Sequence, residues 1–249
     1  MTAWTALLRK ELLLFRPVFL TVLFMELAAM LAGPLMSSGL HIRYAATTIG
    51  LMLIVLHFLY LCLYPVAAYL RERKTMQLWL QHPLPGGALL AAKLLAGLAF
   101  ILVSYLIVLT YTWAAMSADG TLSHFAQLCH PYRLALLVSA GMLGVGLESG
   151  IDLLFFWILL HVLRSRIGNW AWLLAAGLFI LNNYTTSFIE KTPFMRWGPL
   201  PHSFYSYWIS DRLHSGISLY AGDFVFDLLM TLLCFLIGAW LLDHLLEVS

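Results

Sequence analysis

Five ionisable side chains stand where an apolar chain tolerates them least: Glu26, His57, Glu148, Asp152 and Asp227. Each interrupts a run long enough to cross a bilayer. A charged group at that depth is costly unless it is paired or neutralised, so such residues are functional candidates by default. Glu148 and Asp152 are four residues apart and share one face of a helix. Three kinds of chemistry suit this set. It can form a hydrogen-bonded network that holds helices together. It can line a translocation path or contact a cationic or amphipathic substrate. It can relay protons or act as a hydrolytic pair. Around the pair, the segment GMLGVGLESG carries Gly141, Gly144, Gly146 and Gly150, a spacing that permits close helix approach or a subunit seam.

Catalytic patterns are weak. A zinc protease helix would need HExxH, with two imidazoles at i and i+4, and none of the nine histidines has that neighbourhood. Gly146-Leu147-Glu148-Ser149-Gly150 is not a GxSxG elbow, because Glu148 and Ser149 are in the wrong order. His202-Ser203 has no aspartate partner in view. Cys62, Cys129 and Cys234 are scattered without metal spacing, and two lie inside apolar runs as small hydrophobes do. No catalytic residue and no metal ligand is assigned. No GxxxxGK[ST] phosphate loop occurs, so the chain cannot bind ATP in that way itself.

The elements that position these residues follow from composition. Hydrophobic residues make up 62% of the 249 and charged residues only 10%. Mean hydropathy is +0.87. A water-soluble domain could not hide that much apolar surface, so lipid must solvate most of the outside. The net charge of +2 gives no case for nucleic acid. A helix needs about 20 apolar residues to cross the hydrocarbon core. Six stretches qualify: Pro17–Ser37, Ala45–Leu70, Leu94–Ser117, Leu134–Leu163, Asn169–Ile189 and Phe224–Leu242. Strand-type alternation is absent, which disfavours a membrane barrel. The expected fold is therefore an all-α integral membrane protein, one transmembrane domain over residues 1–249, with the first apolar run a retained span rather than a cleaved leader.

Basic residues orient it. Arg9, Lys10, Arg16, Arg71, Arg73, Lys74, Lys93, Arg164 and Arg166 fall on the side of the N-terminus. Arg43, Arg133, Lys191, Arg196 and Arg212 fall on the other. Both termini are thus expected in the cytoplasm. Outside, Ser38–Tyr44 reads as a short turn and Ala118–Pro131 as a modest loop. Phe188–Asp223, broken by prolines and rich in aromatics, suits short helices lying at the outer interface.

One polar interruption stands apart. Tyr69–Lys93 reads YLRERKTMQLWLQHPLPGGALLAAK. Met76, Trp79 and Leu80 recur at i, i+3 and i+4 and make an apolar stripe on a short helix. Pro83 and Pro85 stop it, and Gly86-Gly87 turn the chain before a helix restarts at Ala88. Such a helix rests on lipid headgroups or docks into a groove on a cytoplasmic protein. At the N-terminus, Trp4, Leu7, Leu8, Glu11 and Leu12 recur at helical spacing with Arg9 and Lys10 on another face. That predicts an amphipathic interface helix, with Pro17 marking the start of the first span.

These two segments, LLRKELLLFRP and LRERKTMQLWLQHPLPGGALLAAKLLAGL, resemble the ABC-2 type transporter permease family. Its members open on an amphipathic helix with a basic-acidic pair, here Lys10-Glu11. After the second span they carry a glutamate, a leucine, a Pro-Leu and a lysine, here Glu72, Leu78 or Leu80, Pro83-Leu84 and Lys93. His82 departs from that pattern. The resemblance implies a permease subunit that pairs with a second permease subunit, identical or related, and with two cytoplasmic ABC ATPases that hold the ATP and Mg. The helix between spans two and three then acts as the coupling helix. Met76, Trp79 and Leu80 would dock, Glu72, Arg73 and Lys74 would flank them, and Leu7, Leu8, Arg9, Lys10 and Glu11 would brace the interface. The implied setting is a bacterial plasma membrane and the implied direction export. The rival classes are a six-span intramembrane enzyme and a channel or receptor subunit.

Overall fold

A computed structural model describes residues 3–39, 41–42, 44–72, 85–190, 192, 197–199, 204 and 220–245. Among them the chain is helical. Seven α-helices follow in order: α1 (Ala3–Gly39), α2 (Ala45–Glu72), α3 (Gly86–Ala118), α4 (Thr121–Leu128), α5 (Pro131–Ile167), α6 (Ala171–Glu190) and α7 (Ala221–Leu245). Beyond helices, the described residues hold one isolated antiparallel bridge, Pro199 to Tyr220, inside the long outer segment.

Four stretches are long and apolar enough to cross a membrane: Ala3–Gly39, Gly86–Ala118, Pro131–Asn182 and Ala221–His244. A fifth, α2, joins them if its two halves, Ala45–Tyr60 and Cys62–Ala68, are one bent span. Pro65 explains the break. It has no N–H for the carbonyl four residues back, at Leu61, where the halves meet. Phe24, Leu31, Leu35, Leu173, Ile180 and Leu228 are each at least two-thirds exposed. Apolar rows of that length need lipid around them, and the set is compatible with a multi-pass membrane protein.

The chain clusters into two compact units. One takes its described residues from Met1–Leu61 and Ala92–Gly146, the other from Cys62–Ala91, Leu147–Phe204 and His214–Ser249. The division falls inside α2, α3 and α5.

In the first unit α1 and α3 lie side by side and run the same way. Their contacts climb together: Glu11 with Lys93, Phe19 stacked on Phe100 at 4.7 Å, Glu26 with Ser104. The second helix runs against both, with His57 beside Ser104 and Thr47 bonded to Asp119. Met30, Leu53 and Val108 form the buried apolar centre. Two glycines set the spacing. A Cβ on Gly33 would lie 2.9 Å from the Ala46 Cα and overlap the Tyr111 hydroxyl. One on Gly50 would lie 3.1 Å from the Thr112 Cα. Small residues let the backbones meet where lipid supplies no squeezing force.

In the second unit α5 and α6 form a hairpin. Gly168 turns the chain at φ 62°, a left-handed value that glycine adopts without a Cβ clash. Leu160 packs on Ala171 and Ala175, and the rings of Phe156 and Phe179 lie 5.5 Å apart. Leu154 and Ile158 of α5 share a core with Leu90 of α3 and with Leu241 and Leu242 of α7.

Several expectations change. Pro17 does not divide an interface helix from a first span, because α1 is continuous from Ala3 to Gly39. Its buried face there is Leu7, Glu11 and Phe15, at steps of four, so Glu11 points into protein rather than along a lipid surface. Arg9 and Lys10 are exposed, as their spacing predicts. Gly86-Gly87 open α3 rather than turning the chain before it. The loop expected between Ala118 and Pro131 contains the helix α4. Gly141 and Gly144 have open space where a Cβ would go, so among the described residues they pack on no neighbour.

Candidate functional site

The sequence-predicted polar residues divide between the two units. Glu26 and His57 meet in the first. Ser104, which the sequence reading passed over, joins them from α3. Ser104 Oγ donates to Glu26 Oε2 at 2.6 Å, and His57 Nε2 lies 2.7 Å from the same Oγ. His57 Nε2 and Glu26 Oε1 are 3.4 Å apart. His57 Nδ1 lies 2.8 Å from the Leu53 carbonyl, and since a carbonyl only accepts, that nitrogen carries a proton. All three residues are buried.

The geometry fixes a proton count. If Ser104 donates to a Glu26 carboxylate, its oxygen must accept from His57 Nε2, and the histidine is an imidazolium. If Glu26 is protonated and donates to Ser104, Ser104 donates to a neutral His57. The two arrangements hold the same protons and differ by two short transfers through one hydroxyl. Either leaves the trio with no net charge, which is what burial among apolar helices requires. The trio is not a hydrolytic triad. There the acid orients the histidine and the serine hydroxyl is free to attack. Here a backbone carbonyl holds Nδ1 and the acid engages the serine. Tyr105 lies edge-on to His57, ring centres 5.5 Å apart, and its hydroxyl donates to Ser139 at 2.8 Å.

A second ionic contact lies toward the N-terminal ends of α1 and α3. Lys93 Nζ donates to both Glu11 oxygens, at 3.1 and 3.0 Å. The side chains are 0% and 1% exposed. A buried pair survives only with close geometry and satisfied lone pairs, and this one has the geometry. The first turn of α3 is held separately in the second unit. Gly86 N–H donates to Asp243 Oδ1 at 2.6 Å. That places a carboxylate at a helix N-terminus, where free amides and the helix dipole favour it. A Cβ on Gly86 would fall 2.8 Å from that oxygen and 3.1 Å from the Ala239 carbonyl oxygen, so the approach needs glycine.

The remaining polar residues lie in the second unit. Asp152 is half-buried and lines a cavity of about 450 Å³ with Phe155, Phe156, Phe179 and Asn182. Cys234 lines the same cavity as Asp152. Glu148, one turn earlier on α5, and Asp227 on α7 are half-buried and outside the cavity's lining. Asn182 is exposed on α6. Cys62 and Cys234 are buried free thiols.

The coupling stripe is not among these observations. Arg73, Lys74, Met76, Trp79 and Leu80 lie outside the described residues, as do His202 and Ser203; Glu72 is the last residue of α2. What is described is the frame around the stripe: the end of α2 before it, and after it Gly86 and Lys93, each tied to another helix. Asp243 and Ser104 were the residues that sequence reasoning missed. A serine in an apolar run and an aspartate near a C-terminus carry no periodic signal. No protein-family model, no curated protein and no solved structure matches the chain.

Proposed function

We propose that this chain is the transmembrane permease subunit of an ATP-driven ABC transporter of the ABC-2 type, working as an exporter with separate cytoplasmic ATPase subunits. The observation that carries the reading is the buried Glu11–Lys93 pair. Force delivered to residues 73–84 would reach α3 first. That helix is tied to α7 through Gly86 and Asp243 and to α1 through Lys93 and Glu11. A push on the segment would therefore move helix ends together instead of bending a loop.

Six crossings fit this frame. Within the first unit α1 and α3 are parallel and α2 opposes them. Within the second, α5 and α7 are parallel, α6 opposes them, and the start of α3 opposes α7. The apolar stretch Pro131–Asn182 supplies two crossings because it folds back at Gly168. Six crossings of alternating direction would bring both termini to one side, and Arg9, Lys10, Arg164 and Arg166 argue for the cytoplasm. ATP and Mg belong to the partner, and a second permease subunit, identical or related, completes the assembly in a plasma membrane. Export proceeds between the permease subunits, past carboxylates such as Asp152.

An intramembrane enzyme is favoured by one observation, the Ser104–His57–Glu26 cluster, and its connectivity works against it. A channel or receptor subunit would have no use for an ATPase-docking stripe. Photocrosslinkers at Met76 and Trp79, activated in native membranes, test the proposal. The expected product joins this chain to a protein bearing a GxxxxGK[ST] phosphate loop. Crosslinks to lipid alone, or labelling of these positions from outside the cell, would overturn it.

A further inference from the structure

The cavity in the second unit is chemically lopsided. Its volume of about 450 Å³ suits a small molecule. Among the described residues, Asp152 is the one carboxyl that lines it, and no described lysine, arginine or histidine does. Three phenylalanine rings do, from both arms of the α5–α6 hairpin, and the rings of Phe156 and Phe179 meet edge to face. Glu148 lies one turn before Asp152 on the same face of α5, and Asp227 stands on α7, so further carboxyls lie in the same unit. Aromatic faces and a carboxylate together attract a cation that has shed its water. Leu178, Phe179 and Leu181 line the cavity and are themselves exposed apolar side chains, which suits a ligand that arrives through an apolar phase. A larger cavity, at the turn between α1 and α2, lacks this character. Its carboxylate, Asp119, already accepts from Thr47, from the Thr121 amide and from the Thr121 hydroxyl.

We propose that the α5–α6–α7 cavity binds a lipophilic monovalent cation, with its charge against Asp152 and its apolar body between Phe156 and Phe179. As cargo, such a ligand deepens the permease reading and rests on it. As a binding site it stands on the cavity alone.

Tetraphenylphosphonium and tetraphenylborate test this, being alike in size and opposite in charge. The full chain is placed in phosphatidylcholine nanodiscs without ATPase or nucleotide, and equilibrium binding is measured. Saturable binding of the phosphonium is expected, with no saturable binding of the borate. Asp152→Asn should weaken the phosphonium by about tenfold or more, and Asp152→Glu should keep most of the affinity. Phe179→Ala, which leaves every charge in place, should also weaken it and serves if Asp152→Asn fails to fold. Equal binding of the two ions, or unchanged binding in the folded variants, would overturn the site. Because no ATPase is present, that failure would leave the partner reading untouched. Conversely, failure to crosslink an ATPase would leave a measured cation site standing.

Discussion

Glu11 and Lys93 show how far a single residue's role depends on its partner. A surface glutamate beside lysine contributes about 1 kcal/mol or less. The same carboxylate, sealed against one ammonium, becomes costly to disturb. Glu11→Gln would leave Lys93 buried without its counter-charge and should lower unfolding stability by about 3–5 kcal/mol. Glu11→Leu with Lys93→Met should recover most of that loss, because neither member of the pair then stays buried without the other. Chemical denaturation in detergent micelles reads both, and a double variant as unstable as the single would contradict the pairing. This pair was half legible in the sequence. Both residues stood out, Glu11 in an amphipathic stripe and Lys93 at the start of an apolar run. Nothing in their spacing joined them, since 82 residues separate them and periodicity speaks only within a helix. Ser104 was illegible for a related reason: a hydroxyl in a span is ordinary until two other helices aim Glu26 and His57 at it.

Helix limits were legible to within a few residues because hydrophobicity sets them; breaks and turns were not. Pro17 suggests a boundary, yet α1 continues through it. Arg16, Pro17 and Val18 are all exposed, and the freed Leu13 carbonyl belongs to an exposed residue, so the helix can adjust there without disturbing a packed face. Gly86-Gly87 suggests a turn, yet both belong to α3. Their glycines answer to packing: Gly86 because the α7 backbone and Asp243 press on it, Gly87 hardly at all. Gly86→Ala should therefore cost roughly 1–3 kcal/mol through overpacking. Gly87→Ala, whose new methyl would meet Ala239 at 3.6 Å, should be neutral or slightly stabilising. Thermal unfolding of the two variants side by side checks this, and equal effects would mean that the contact between α3 and α7 is not close in solution.

At the scale of the molecule the account is a lever. The exposed apolar faces are compatible with a multi-pass membrane protein, and the six crossings belong to the proposal. Buried polar contacts then join helix ends on either side of one polar segment. Composition alone made the first of these readable, because no folded arrangement in water could cover so many leucines and phenylalanines. The proposed lever rests on the resemblance of its motif, and the contacts of Asp243 and Glu11 on either side of that segment needed three dimensions. The most direct measurement is of ATP hydrolysis and transport together, in vesicles reconstituted with the chain and its partners, with Trp79 and Leu80 changed to Asp. The account predicts that the protein reaches the membrane at normal levels, hydrolysis continues, and transport per ATP falls to background. Transport per ATP at the unmodified level, with both aspartates in place, would contradict it.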